Sequence, residues 1–248
     1  MKKLFFYFVL LAFSTSTIVA QSNWSFGVSL TGIGNRSDYV AGMSDANALF
    51  NHDKYGNVSL GFVSRYFINN HWSVQSGLKF GQIGFEYSLA KDYSFFKKDD
   101  HFTKNNLGIP VVQIPLTVIY AFNPNCKNYR WFIGAGVSIM NNFNVINKTV
   151  NAIPKGADNA TNQVYLNQTV TAHTFTTING QLMGGIEKLL KKGGIIQFGV
   201  IANRGFSDIA TSTVSYSVDS KTYYHTFKNK GNYAGVVISY YFKPHKKK

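Results

Sequence analysis

Four of the six histidines, His52, His101, His173 and His225, fall one in each of four long polar stretches or at its margin. Four imidazoles gathered at one end of a fold could hold zinc, but zinc sites draw on closely spaced ligands, and no HxH or HxxxH pair occurs here. Hydrolytic chemistry would need Ser88 with His101 and Glu86, or Asp219 with His225. A nucleophile must lie within hydrogen-bond reach of its base, and a third group must orient that base. No spacing in the sequence encodes such a set. Glycine-rich phosphate loops and His/Cys clusters are absent. The single cysteine, Cys126, has no partner in the chain and reads as a free thiol in a turn. The expectation is a protein that is not an enzyme and carries no catalytic residue, cofactor or metal.

The elements that would position any site follow from composition and periodicity. Charged residues make up 15% of the 248 positions, aromatics 16%, and the mean hydropathy is −0.09. A soluble domain carries roughly 25% charged residues. Met1-Lys2-Lys3, the apolar run Leu4 to Phe13, and a small-residue ending at Val19-Ala20 form a three-part secretory signal over 1–20. Its apolar run is too short to span a bilayer as a helix. After it, no stretch reaches eighteen apolar residues. If the chain crosses a membrane, it crosses as strands.

Period-two alternation predicts strands at 24–33, 57–68, 72–87, 107–122, 129–143, 174–190, 195–203 and 232–242. Within 72–87, Trp72, Val74, Leu78 and Phe80 share a face, and a β-bulge near Gly81-Gln82 is expected to carry Ile83, Phe85 and Tyr87 onto it. Pro115, which cannot donate to a ladder, predicts a local distortion. Long connections alternate with tight ones. Asn69-Asn70-His71 and Lys191-Lys192-Gly193 read as three-residue hairpin loops, with Gly193 left-handed. A hairpin across Asp219-Ser220-Lys221 is expected to stand above the membrane. The fold class is therefore all-β: an eight-stranded antiparallel up-and-down transmembrane β-barrel, with long extracellular loops and short periplasmic turns, over 21–242. A soluble lipocalin-like barrel would turn its apolar face inward.

The aromatic residues favour the membrane. Trp24, Tyr66, Trp72, Tyr120, Phe122, Trp131, Tyr240 and Phe242 all map to the short-turn ends of the strands, on the apolar face. That is a girdle at one membrane interface. Phe85, Tyr87, Phe143 and Phe206 are expected to form the opposite girdle. The inward face carries many glycines together with Arg65, Lys79, Arg130, Glu187 and Gln197, which predict a polar network filling a narrow lumen. Arg130 and Glu187, near the short turns of consecutive strands, are expected to pair. The formal charge is +14. Lys127, Arg130, Lys188, Lys191, Lys192, Lys243, Lys246, Lys247 and Lys248 put much of it at the periplasmic end, where 243–248 form a basic tail.

VVQIPLTVIYAF (111–122), WFIGAGVSIM (131–140), QFGVIANRGFSDIA (197–210) and AGVVISYYF (234–242) resemble the PorT-type outer-membrane β-barrel family. The resemblance implies export to the outer membrane, with some members serving a secretion apparatus. The function expected is a scaffold or interaction protein in a secretion or envelope-maintenance system. The alternatives are a small-solute porin and, behind it, a lipid-modifying enzyme. Expected partners are outer-membrane lipids, the barrel-assembly machinery and a periplasmic or secretion-system protein. An exported barrel meets no nucleic acid.

Overall fold

The computed structural model describes residues 23–35, 37–42, 50–53, 55–89, 105–122, 129–142, 148–152, 166–172, 176–191, 193–218 and 221–242. Residues 1–20, read from the sequence as a signal, residues 243–248, Cys126 and Phe143 lie outside them. Eight strands form the barrel wall: β1 (Trp24–Asn35), β4 (Tyr55–Phe67), β5 (Trp72–Leu89), β6 (Asn105–Ala121), β7 (Tyr129–Asn142), β10 (Thr176–Leu189), β11 (Ile195–Gly205) and β14 (Tyr233–Tyr241). Neighbours pair antiparallel in chain order, and β1 closes the wall against β14. The alternation has its expected sense. Phe62, Leu182 and Val200 are 68%, 64% and 62% exposed, whereas inward Thr117, Ser138 and Gln197 are fully buried. A soluble barrel would have the reverse.

Six shorter strands lie in the long connections: β2 (Asp38–Gly42), β3 (Phe50–Asp53), β8 (Lys148–Ala152), β9 (Leu166–Ala172), β12 (Ala210–Val218) and β13 (Lys221–Asn229). Sequence reading takes 34–55, 144–173 and 204–231 for loops, apart from the 219–221 hairpin, which the β12–β13 pairing bears out, with Lys221 already in the ladder opposite Val218. Five of the six form a second sheet in the order β2-β13-β12-β9-β8. That order follows, strand for strand, the barrel neighbours β1-β14-β11-β10-β7 that they adjoin in the chain. The second sheet is thus the barrel wall resumed beyond a break. One apolar cluster joins the two, with Ile33, Ile83, Phe85 and Ile109 of the barrel against Val170, Val214 and Phe227 above. Asn229 Nδ2 donates to the Gly84 carbonyl at 2.9 Å and fastens β13 to β5.

The expected bulge in β5 does not occur. Its register with β6 is the same at Trp72↔Tyr120 and Ile83↔Ile109. Ile83 and Phe85 consequently point inward, 0% and 2% exposed, and Phe85 belongs to no outer girdle. The physical reason is the second sheet. Under it the inward face becomes apolar while Gln82 takes the outer one, so the polarity of the strand inverts without a change of register. Phe206 does face outward, at 71% exposure.

The distortion at Pro115 is local. Pro115 pairs with Ser138 of β7, but the β5–β6 ladder lapses between Ser76↔Leu116 and Lys79↔Gln113. The missing N–H falls in that gap, and Ser76 Oγ donates to the Pro115 carbonyl at 2.9 Å. Both tight turns keep three-residue spacing. Ile68 N donates to the Trp72 carbonyl at 3.0 Å, and Asn69 Oδ1 accepts from the Trp72 amide at 2.8 Å. Leu190 N donates to the Gly194 carbonyl at 2.8 Å, and Gly193 has φ of 89°. This is the left-handed position a three-residue hairpin requires.

Candidate functional site

Among the described residues, chemistry-bearing side chains converge in the interior, and strand parity places them there. Glu187 stands cross-strand from Arg130 on β7 and from Gln197 on β11. Its Oε2 accepts from Arg130 Nε at 2.6 Å, and its Oε1 accepts from Arg65 Nη1 and, at 3.3 Å, from Gln197 Nε2. Arg65 is on β4, four places from β10 in either direction round the wall. The Arg65–Glu187 pair therefore spans the lumen like a strap. Arg65 Nε also donates to Ser73 Oγ at 2.8 Å, and its guanidinium lies 4.9 Å from the Phe67 ring centre and 5.9 Å from that of Tyr241. Tyr241 in turn donates to Gln75 Oε1 at 2.7 Å. Apart from Phe67, which is partly buried, each member is at least nine-tenths buried.

Of the five polar lumen residues picked out from the sequence, four meet: Arg65, Arg130, Glu187 and Gln197. Lys79 is inward and 3% exposed but stands apart from them. A second network lies nearer the long connections and centres on Gln113. Tyr233 donates to Gln113 Oε1 at 2.9 Å, Gln113 Nε2 donates to Ser138 Oγ at 2.7 Å, and Ser138 Oγ donates to Asn203 Oδ1 at 3.1 Å. The alternation places all four inward. Their meeting depends on how four strands tilt round a closed wall, which no local pattern carries. Above them sits the apolar cluster of Ile83 and its neighbours. From short turns to long connections, the lumen is a charged strap, an amide network and an apolar plug. Between strap and plug lies a cavity of about 10 Å³ beside Lys79.

The outer aromatics form ladders at the short-turn end. Trp24 pairs cross-strand with Tyr66, with ring centres 5.1 Å apart, and Trp72 pairs with Tyr120 at 4.8 Å. Phe122 packs on Tyr120 at 5.0 Å and Phe242 on Tyr240 at 4.9 Å, both edge-on. Trp131 is 62% exposed. Amphipathic rings at one level suit the boundary between acyl chains and water.

The histidine and hydrolase candidates are not brought together among the described residues. His225 lies in β13, where burial holds its imidazole below the ordinary pKa. The backbones of His52, Glu86 and Ser88 belong to β3 and β5, but their side chains, with all of His101, His173 and Asp219, lie outside the described residues.

Among solved structures, the chain is similar to the outer membrane protein OprG from Pseudomonas aeruginosa, at 12% identity and a TM-score of 0.44, covering 89% of this chain and 96% of that one. It is also similar to the N-terminal β-barrel domain of Pseudomonas aeruginosa OprF, at 12% identity and a TM-score of 0.36, covering 87% and 97%. An outer membrane channel from Pseudomonas putida F1 aligns over 90% and 96% at 10% identity, with a TM-score of 0.27. No curated protein matches the chain. The profile of one family, described as outer membrane protein beta-barrel domain, matches residues 19–211, most of the chain. With its closed eight-stranded wall and outward apolar face, the chain belongs to the outer membrane protein beta-barrel domain family and resides in the outer membrane.

Proposed function

We propose that this outer-membrane barrel is a scaffold or interaction protein in a secretion or envelope-maintenance system, acting through its surfaces and not its lumen. The observation that carries this reading is the filled interior. A solute would have to displace the Arg65–Glu187–Arg130 strap, the Gln113 network and the plug of Ile83, Phe85 and Ile109, all of them buried. The resumed wall beyond the barrel offers a folded surface outside the bilayer. On this reading the protein is of the PorT type and is not an enzyme. Support for the type is the sequence of 111–122, 131–140, 197–210 and 234–242, which contribute to β6, β7, β11 and β14. Residues 1–20 are removed on export. The belt contacts outer-membrane lipids, the barrel-assembly machinery inserts it, and 243–248 face the periplasm.

Purified protein in planar bilayers is expected to show no discrete conductance steps. Regular steps would overturn the reading in favour of a small-solute porin. Deleting Lys243–Lys248 is expected to weaken cross-linking to an acidic envelope partner at low salt while leaving heat-modifiability intact. The attraction of a basic tail is screened within roughly 8 Å at physiological ionic strength. Undiminished cross-linking at low and high salt alike would remove the tail from the proposal.

A further inference from the structure

We propose that Lys79 and Thr31 form a site inside the barrel for one small monatomic anion of the chloride class. Lys79 on β5 pairs cross-strand with Gly61 on β4. A Cβ at Gly61 would stand 2.7 Å from Lys79 Cγ. The glycine therefore lets the lysine stem lie flat across β4, toward β1. Beside the stem is the cavity of about 10 Å³, lined by Lys79, Thr31, Ser59, Gln113 and Tyr233 among others. Thr31 is 2% exposed, and its Oγ1 has no hydrogen-bond partner among the described residues. Tyr233 and Gln113 are already engaged with each other and with Ser138. The cavity is thus lined by a buried lysine and by a threonine with an uncommitted hydroxyl, two side chains able to donate.

Charge decides what these donors hold. Among the described residues facing the barrel lumen, the cations Arg65, Lys79 and Arg130 face a single carboxylate, Glu187. Both oxygens of that carboxylate are taken by the two arginines. Lys79 has no hydrogen-bond or ion-pair partner among the described residues. A buried ammonium without a counter-charge is costly. An anion within reach of Nζ and the Thr31 hydroxyl removes that cost. Size then selects the anion, because a cavity of this volume takes about one water-sized particle. A halide fits with slight give from the Met140 thioether, which also lines the cavity. Sulfate, phosphate and organic carboxylates are too large. The anion is then an interior counter-ion that completes the barrel.

The test uses full-length mature protein refolded into lipid vesicles at fixed ionic strength. Chloride, gluconate and sulfate are compared, and the unfolding midpoint is read from heat-modifiability. Above its dissociation constant, each tenfold rise in chloride is expected to raise the folded-to-unfolded ratio about tenfold, since a ligand of the native state multiplies that ratio by 1 + [L]/Kd. Sulfate and gluconate are expected to have no such effect. Lys79→Met should abolish the chloride response, and Thr31→Val should shift it to higher concentration. Equal midpoints in chloride and gluconate, or an undiminished response in Lys79→Met, would overturn the site. Should Lys79→Met fail to fold, crystals of the unaltered protein grown from bromide decide. An anomalous peak within hydrogen-bond range of Lys79 Nζ supports the site, and none there sinks it.

Discussion

Replacing Glu187 by glutamine is expected to cost about 3–5 kcal/mol of barrel stability, the range for removing one partner of a buried ion pair. The side chain changes by one atom and keeps its shape, so the loss is of charge. Two guanidiniums, Arg65 at 1% exposure and Arg130 at 7%, would then remain inside without a carboxylate. Gln197, which donates to Glu187, cannot substitute for it. Arg130→Met should cost less, because Glu187 keeps Arg65. Arg65→Met also removes the strap between opposite walls, and with it the contacts to Ser73, Phe67 and Tyr241. The Asp208–Lys228 pair is the control. Its atoms are 2.7 Å apart, but the side chains are 26% and 39% exposed. Such a pair contributes about 0–1 kcal/mol, so Asp208→Asn should leave the midpoint nearly unchanged. Urea titration in vesicles, followed by tryptophan fluorescence, measures both. If the midpoints of Glu187→Gln and Asp208→Asn coincide, the strap is not what holds the lumen shut.

The same residues show what a sequence carries and where it fails. Arg130 and Glu187 are readable as a pair because they lie on neighbouring strands of the sheet, both at the short-turn end, with matching parity. Arg65 is readable only as inward. Its reach to Glu187 depends on the curvature of a closed wall, and three strands intervene on either side. The turns at 69–71 and 191–193 are legible because parity and a glycine fix them locally. Alternation succeeds wherever one face meets lipid and the other meets polar neighbours, as along β11, where Ile196, Phe198 and Val200 oppose Gln197 and Gly199. It fails in the upper part of β5, where Ile83 and Phe85 face an apolar plug while Phe80 faces lipid. Beyond Phe80 the outer face passes to Gln82 and the apolar residues turn inward, and such an inversion in an unbroken strand reads like a bulge. The second sheet is hidden for a related reason. Strands such as β2 and β8 are only five residues long, and they pair by inheriting the order of the barrel beneath them.

Gly136→Ala is expected to abolish the folded, heat-modifiable form, or nearly so, although it adds a single methyl group. Gly136 faces inward on β7, between Thr117 of β6 and Gln181 of β10. A Cβ there would lie 2.0 Å from the Leu116 carbonyl oxygen and 2.7 Å from Thr117 Cα. Both are backbone atoms of the neighbouring strand, so no rotamer change relieves the clash. Relief requires β6 and β7 to part, and the Gln113–Ser138 and Gln181–Thr117 hydrogen bonds bridge those strands and the next. Overpacking a well-packed interior costs typically 1–3 kcal/mol, more where the frame cannot yield. A closed wall of eight strands has no free edge along which to yield. Gly32, on the outward face of β1, separates this effect from the loss of glycine flexibility. A Cβ at Gly32 would meet only the Val236 side chain, at 3.5 Å, an ordinary contact. Gly32→Ala should therefore fold as the unaltered protein does. Both variants folding equally well would mean that the strands can separate at Gly136, and that the tight inward curvature assigned to this glycine is not required.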